Sequence, residues 1–243
     1  MANPEPLRGG FIADAVRVGD TVRKTPPADP AFVRGLLRHF EAHGWAGAPR
    51  HLGTDTDGRD VLTFVEGDVP WQGGPPPEYV RSPASLAAVA RLVREFHDLT
   101  AGTPLAGGQD VVCHNDLSPK NTVYRAGMPV ALIDWDIASP GPRVHDVAHV
   151  CWQYIGLGPA ITDPGEALRL VRVVADAYGL PPGEPLLETI AWWQDRCWRG
   201  ILAGADAGDP AMIRLRDLGA ADEVRAAHRW SSENLRRDRP ALG

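Results

Sequence analysis

Three side chains near the middle of the sequence carry oxygens suited to a metal-assisted reaction: the carboxylates of Asp116 and Asp134 and the amide of Asn121. Asp116 stands five residues before Asn121, in a polar block from His114 to Asn121 that follows the apolar run Val111-Val112-Cys113. A carboxylate in a loop leaving a buried strand can accept the proton of an attacking hydroxyl. An amide oxygen and a carboxylate are hard ligands of the kind Mg²⁺ takes, usually one or two from protein with phosphate oxygens completing the shell. The chemistry such a set supports is transfer of a phosphoryl group to a hydroxyl, driven by positioning and charge neutralisation.

Lysine adds a second signal. Only Lys24 and Lys120 occur among 25 basic residues, so the other 23 are arginine. An ammonium is a compact point charge, whereas a guanidinium is a wide planar fork. A chain that otherwise uses arginine and keeps lysine at two places points to those places. Lys120 lies in the polar block beside Asp116, set either to touch a terminal phosphate or to face solvent.

The elements that must position these groups are legible from pattern. Val16, Val18 and Val22 alternate around Gly19-Asp20, a two-residue hairpin signal. Alternation places Lys24 on the same face as Val22, with Arg23 pointing away. Asp29-Pro30 predicts a helix start, with Asp as cap and Pro in the first turn. Phe32, Leu36, Leu37 and Phe40 are its expected apolar stripe, and Gly44 its end. Strands are predicted near residues 49–53 and 61–65. Residues 66–77 are rich in Gly and Pro and read as a linker. Ser82-Pro83 opens a helix to about Leu99 with Leu86, Val89, Val93 and Phe96 inside. Residues 122–125 and 130–133 are read as two strands joined by Ala126-Gly127-Met128-Pro129. If Arg125 and Val130 flank that turn, Asn121 and Asp134 face each other just beyond the ladder. From His145 on the chain reads as mostly helical, with Leu186, Ile190, Trp193, Cys197 and Ile201 on one helical face.

These residues resemble a known signature. His114-Asn115-Asp116-Leu117-Ser118-Pro119-Lys120-Asn121 matches the H-x-D-x-x-x-x-N of kinase catalytic loops, and Asp134-Trp135-Asp136 stands where D-F-G stands in protein kinases. With the later Asp146-Val147-Ala148, the wording resembles the phosphotransferase enzyme family, the aminoglycoside phosphotransferase-like kinases, from about Leu7 to Trp198. The resemblance implies an α+β, bilobal, protein-kinase-like fold. A small β-rich N-lobe would span residues 1–67 and a mostly helical C-lobe residues 68–243.

It also implies roles. Asp116 would be the catalytic base or orienting carboxylate, and Asn121 and Asp134 would hold Mg²⁺. His114 would brace the loop without transferring protons. Lys24 would hold the α- and β-phosphates of ATP or GTP. Gly9 and Gly10 would lie in the loop over the nucleotide, although no G-x-G-x-x-G is present. Phe64, Val65 and the two residues after them would form the hinge that reads the base. Asp146 would anchor the catalytic loop. The glutamate that pairs with the strand lysine in such kinases has no counterpart in the middle of the first helix, where Val33, Arg34 and Gly35 stand. Glu41, Asp14 or another acid remain as partners for Lys24.

Composition bounds the rest. Acids outnumber bases 31 to 25, a net charge of −6, which speaks against a nucleic-acid binder. The three cysteines are widely spaced and fit no metal pattern; reduced, buried thiols are expected. His145 and His149, four apart, share a helix face, but no histidine pair has convincing metal spacing. The N-terminal residues have no signal-peptide core, and no run approaches the ~18 apolar residues of a membrane span, so a cytoplasmic location is expected. From Asp146 to Asp209 nine acids face four arginines, a balance that suits a cationic acceptor such as an aminoglycoside or another amine. Trp192 and Trp198 are candidates for the wall of that acceptor's pocket, and Trp193 for packing. The function expected is a small-molecule kinase; the alternative is a non-catalytic nucleotide-binding module on the same fold. The sequence leaves the oligomeric state open.

Overall fold

A computed structural model describes residues 5–7, 15–70 and 76–235. Gly9, Gly10 and Asp14 lie outside the described residues. The first part is an antiparallel sheet with one helix. Strands β1 (Glu5–Pro6), β2 (Val16–Val18), β3 (Thr21–Lys24), β4 (His51–Thr54) and β5 (Asp60–Thr63) lie in the order β1-β2-β3-β5-β4. Gly19, at φ 60°, takes the left-handed turn between β2 and β3 that glycine allows at little cost. Register then sets Lys24 opposite Asp60.

Helix α1 (Pro30–Ala42) starts where its sequence asks. Asp29 accepts the Phe32 N–H at 3.0 Å, and Pro30 occupies the first turn, where no N–H is required. Its inward face is Val33, Leu36, Leu37 and Phe40. Phe32, expected on that stripe, is only partly buried, because Val33 takes the inner position one residue on.

The linker after β5 approaches the second part closely. Asp68 exchanges both backbone hydrogen bonds with Tyr124, at 2.8 and 2.7 Å. Gly67, at φ +146°, has room for no side chain: a Cβ there would sit 2.5 Å from the Tyr124 carbonyl oxygen. The second part contains helices α2 (Pro83–Thr100), α3 (Arg143–Ile155), α4 (Pro164–Tyr178), α5 (Leu186–Asp206), α6 (Pro210–Asp217) and α7 (Ala220–Asn234). Two small sheets sit among them. Strand β6 (Val111–Cys113) pairs with β9 (Ser139–Gly141), a partner the sequence reading did not anticipate, and β7 (Thr122–Arg125) pairs with β8 (Met128–Leu132).

The β7–β8 hairpin corrects the sequence expectation. Ala126 and Gly127, at φ 49° and 75°, form a two-residue turn with both central residues left-handed. Met128 and Pro129 therefore belong to β8, opposite Arg125 and Tyr124, and the register slips between Val123 and Tyr124. Val130 is the extra residue of that bulge. The outcome is that Asn121 faces Ile133, whose N–H bonds its carbonyl at 2.9 Å, and Asp134 comes one step later.

One hydrophobic cluster crosses the linker. Leu36, Leu37 and Phe40 of α1 pack with Val89, Val93 and Phe96 of α2, Val112 of β6 and Trp135. The Phe40 ring lies 5.0 Å from Trp135 and 4.8 Å from Trp45, and Phe96 lies 5.0 Å from Trp135. Full burial of side chains this large removes enough apolar surface from water to contribute about 2 kcal/mol each. No helix among the described residues is long and apolar enough to cross a membrane.

Candidate active site

The loop between β6 and β7 is built by hydrogen bonds that converge on one buried carboxylate. Asp146, in the first turn of α3, is fully buried. Its Oδ2 accepts the His114 N–H at 2.7 Å and its Oδ1 the Asn115 N–H at 3.0 Å. His97 of α2 faces Oδ2 at 3.1 Å. On its other side the His97 ring meets the Tyr178 hydroxyl at 2.7 Å, and Tyr178 accepts from Arg143 at 3.1 Å. The donor order therefore runs Arg143, Tyr178, His97, Asp146. Burial pushes the Asp146 carboxyl up, but the hydrogen bonds from His97 and from the His114 amide outweigh this and hold it below the usual range. Burial lowers the His97 pKa, so a neutral ring donating from Nε2 fits the chain of bonds.

His114 is fully buried. Its Nε2 donates to the Ile133 carbonyl at 3.0 Å, and its Nδ1 accepts the Asp116 N–H at 3.3 Å. Both ring nitrogens are thus engaged in holding the loop against β8. Behind the loop, His149 accepts the Leu117 N–H through Nδ1 at 3.1 Å. Asn115 adopts φ 64°, a left-handed bend that asparagine tolerates better than most side chains. Its amide donates to Ile137 O at 3.1 Å and to Ser139 Oγ at 2.9 Å.

Next to that bend, the Asp116 side chain is about one-third exposed. The amide nitrogen of Asn121 donates to the Asp116 backbone oxygen and to Asp116 Oδ2, each at 2.8 Å. This leaves the Asn121 amide oxygen as the group free to meet a cation. Lys120 Nζ lies 3.5 Å from Asp116 Oδ2, with both side chains about one-third exposed, a weak contact in solvent.

Asp134 holds φ 66°, unusual for a residue with a side chain. It stands two residues past the end of β8, and the next residue is locked. Trp135 is 3 % exposed, donates Nε1–H to Leu132 O at 3.0 Å, and packs on His114 at 4.5 Å. Lys24 reaches across from β3. It forms an ion pair with Asp134 and another with Asp136 at 2.8 Å. Burial pulls the Lys24 ammonium down, but the two carboxylates outweigh it and hold its pKa above the ordinary value. Burial pushes the Asp136 carboxyl up, against the pull of Lys24.

The acid partner of Lys24 is therefore not Glu41, which lies 3.8 Å from Arg50 at the end of α1. Arg34, in the middle of α1, instead binds Asp60 at 2.7 Å, and His51 meets the same carboxylate at 3.1 Å.

The remaining sequence candidates fall as follows. The Phe64 N–H is taken by Asp20 O at 2.8 Å, and the Phe64 ring lies under Arg17 at 3.7 Å. Val65 follows in the linker. Trp192 is 44 % exposed and stacks on His145 at 4.9 Å, while Trp193 stacks on His149 at 4.8 Å. Trp198 does not join them. It lies beneath Arg225 of α7, about 120° round α5 from Trp192, because the two tryptophans are six residues apart on a 3.6-residue helix.

Ligand atoms of His97, Cys113 and Asp146 lie within 4.8 Å of one another. Those of His97 and Asp146 are spent on the bonds above, and the Cys113 thiol donates to Pro142 O. Sequence reasoning missed His97, Asp136, Arg34 and Asp60. Asp136 stands in the Asp134-Trp135-Asp136 motif but was given no role there, the other three sit in no motif, and only Arg34 at the centre of α1 hinted that the charge there was reversed.

With this geometry in place, the chain can be set beside known proteins. Residues 100–185 match the model of the phosphotransferase enzyme family. The trifolitoxin immunity protein of Rhizobium leguminosarum bv. trifolii is 32% identical over 205 residues, covering 72% of this chain and 73% of that protein. Among solved structures, a choline/ethanolamine kinase family protein from Mesorhizobium loti superposes with TM-score 0.61 at 15% identity, covering 95% of this chain and 92% of that one. The GDP complex of aminoglycoside 2′-phosphotransferase-IIIa also gives TM-score 0.61 at 15% identity, over 96% and 94% of the two chains. At such identity the likeness is one of fold, and the fold is α+β, bilobal and protein-kinase-like.

Proposed function

Because the chain belongs to the phosphotransferase enzyme family, we propose that it transfers the γ-phosphoryl group of ATP or GTP to a hydroxyl of a small-molecule acceptor, in the cleft between residues 1–67 and 68–243. One observation carries the reading. The Asn121 amide nitrogen holds Asp116 by two 2.8 Å bonds, one to its backbone oxygen and one to its carboxylate, while keeping its own oxygen for a cation, and Lys24 waits at Asp134. These contacts support a reading with Asp116 as base, Asn121 and Asp134 as a hard-ligand pair and Lys24 as the cation for phosphates.

The donor set fits Mg²⁺. Asn121 Oδ1 and the Asp134 carboxylate are hard oxygens, and Asp134 already attracts a cation in the form of Lys24. Bound there, the ion would neutralise charge on the nucleotide phosphates. The protein's own groups do the rest. Asp116 orients the acceptor hydroxyl in line and takes its proton. Lys24 turns to the α- and β-phosphates, and Lys120 is within reach of the γ-phosphate. His114 holds the loop with both ring nitrogens and moves no proton. Phe64 offers its carbonyl, and Val65 its backbone, to the base. Gly9 and Gly10 keep the phosphate-covering role that the sequence suggests.

For the acceptor, the acidic stretch from Asp146 to Asp209 supports an aminoglycoside or another amine. The exposed Trp192–His145 stack on the α3–α5 side offers a flat surface for it. The similarity to an immunity protein supports a second acceptor class, a toxin that bears a hydroxyl, whose phosphorylation would disarm it. A melting-temperature panel with ATP and GTP plus Mg²⁺, repeated with aminoglycosides, choline-like amines and trifolitoxin, tests the reading. Nucleotide-induced stabilisation followed by turnover of one acceptor class is expected. Stabilisation without turnover of any acceptor, and without slow hydrolysis of the nucleotide, would favour a binding module.

A further inference from the structure

We infer that Asp136 is the positioning residue for Lys24, taking the place of an acid on helix α1. The inference rests on the kinase reading above and adds a residue to it.

Lys24 Nζ has two carboxylate neighbours, and its side chain is 11 % exposed. An ammonium at that depth needs an anionic partner at every stage, since an unpaired buried charge is strongly unfavourable, and the phosphates supply one only once the nucleotide is bound; until then, and to aim the ammonium at them, a carboxylate must hold it. Asp134 cannot serve throughout. Once its oxygens ligate a divalent cation, they have less charge to offer Lys24. Asp136 remains, 2.8 Å away.

Helix α1 cannot supply the acid. The residue at its centre is Arg34, which is paired with Asp60 at 2.7 Å. Asp60 is the cross-strand partner of Lys24 in register, yet its carboxylate is engaged by Arg34 and His51. The polarity of the helix-to-sheet tie is reversed relative to the lysine–glutamate pair, so the acid for Lys24 must come from elsewhere. The backbone after β8 is built to provide it. Trp135 is packed into the core, and its two neighbours both meet Lys24. The indole fixes where both carboxylates stand.

The test uses the full chain, D136N, D136E, K24M and the double variant K24M/D136N. Affinity for Mg-nucleotide is measured by calorimetry and KM and kcat by turnover. D136N should weaken Mg-nucleotide binding by about tenfold, with the loss in KM more than in kcat, and D136E should recover most of it. In the K24M background D136N should change affinity little, because Asp136 acts through Lys24. Parental affinity in D136N, or an equal loss in both backgrounds, overturns the inference. Absence of nucleotide binding by the parent would sink the kinase reading instead. The inference is then read from melting temperatures of the same proteins without ligand. D136N should be more destabilising with Lys24 present than in the K24M background, and equal shifts overturn it.

Discussion

The Leu117 amide donates to Nδ1 of His149 at 3.1 Å, so a buried imidazole on α3 holds the centre of the proposed catalytic loop from behind. The bond needs the ring's lone pair. Burial lowers the His149 pKa to about 4 from an ordinary 6.5. Protonation therefore favours the unfolded chain. Stability is fully present above about pH 6.5 and falls as pH drops toward 4, by about 3 kcal/mol over the window. H149N, which keeps an acceptor for Leu117, should flatten the slope of urea-unfolding stability between pH 7 and 5. An unchanged slope would show that His149 does not carry it; the buried His97 would then be the source.

Asp146 titrates in the opposite sense. Its folded pKa is depressed, so its contribution is present above the unfolded value near 3.9 and is lost as pH falls through the folded value. D146N would aim an amide N–H₂ at the donors His114 N–H, Asn115 N–H or His97. A loss of about 3 kcal/mol at pH 7 is expected, seen as a lower urea midpoint, with the stability difference from the parent shrinking only below about pH 4.

Asp116→Ala removes the proposed base and leaves Asn121, Asp134 and Lys24 in place. Turnover should fall by about a thousandfold or more, while Mg-nucleotide affinity measured by calorimetry stays within about threefold of the parent's. Normal turnover would remove Asp116 from the mechanism.

Asp134→Ala separates metal from lysine. It should weaken binding of Mg-nucleotide by about tenfold or more. Binding of the same nucleotide in EDTA should hold or improve, because Lys24 loses a competing carboxylate. Equal affinities with Mg²⁺ for variant and parent would count against ligation by Asp134.

The contact between Asp116 and Asn121 in the proposed catalytic block was legible because it depends on residue types at short spacing within one loop and needs no tertiary knowledge. The helix starts at Asp29-Pro30 and Ser82-Pro83 were legible for the same reason, a cap followed by a proline. The β7–β8 register was not. Ala126 sits at positive φ where a reader expects glycine, and the bulge at Val130 has no sequence mark. The partner of Lys24 was hidden more deeply. Lys24 and Asp136 are separated in sequence by α1, β4, β5, α2 and strands β6 to β8, and only folding around Trp135 brings them together. His97 looked like one more helix-face histidine until Tyr178 and Asp146 were seen on either side of its ring.

The aromatic contact between Phe40 and Trp135 bears on how this chain could be recombined with its relatives. Along the sequence, the linker at residues 64–67 invites a crossover that exchanges everything before it. Such a chimera would import a foreign α1 into a socket shaped by Trp135, Trp45 and Phe96. The piece that travels intact is smaller. It is the strand sheet alone, with α1 inherited from the parent that supplies Trp135, and the incoming sheet must carry an acid at position 60 so that Arg34 keeps its partner.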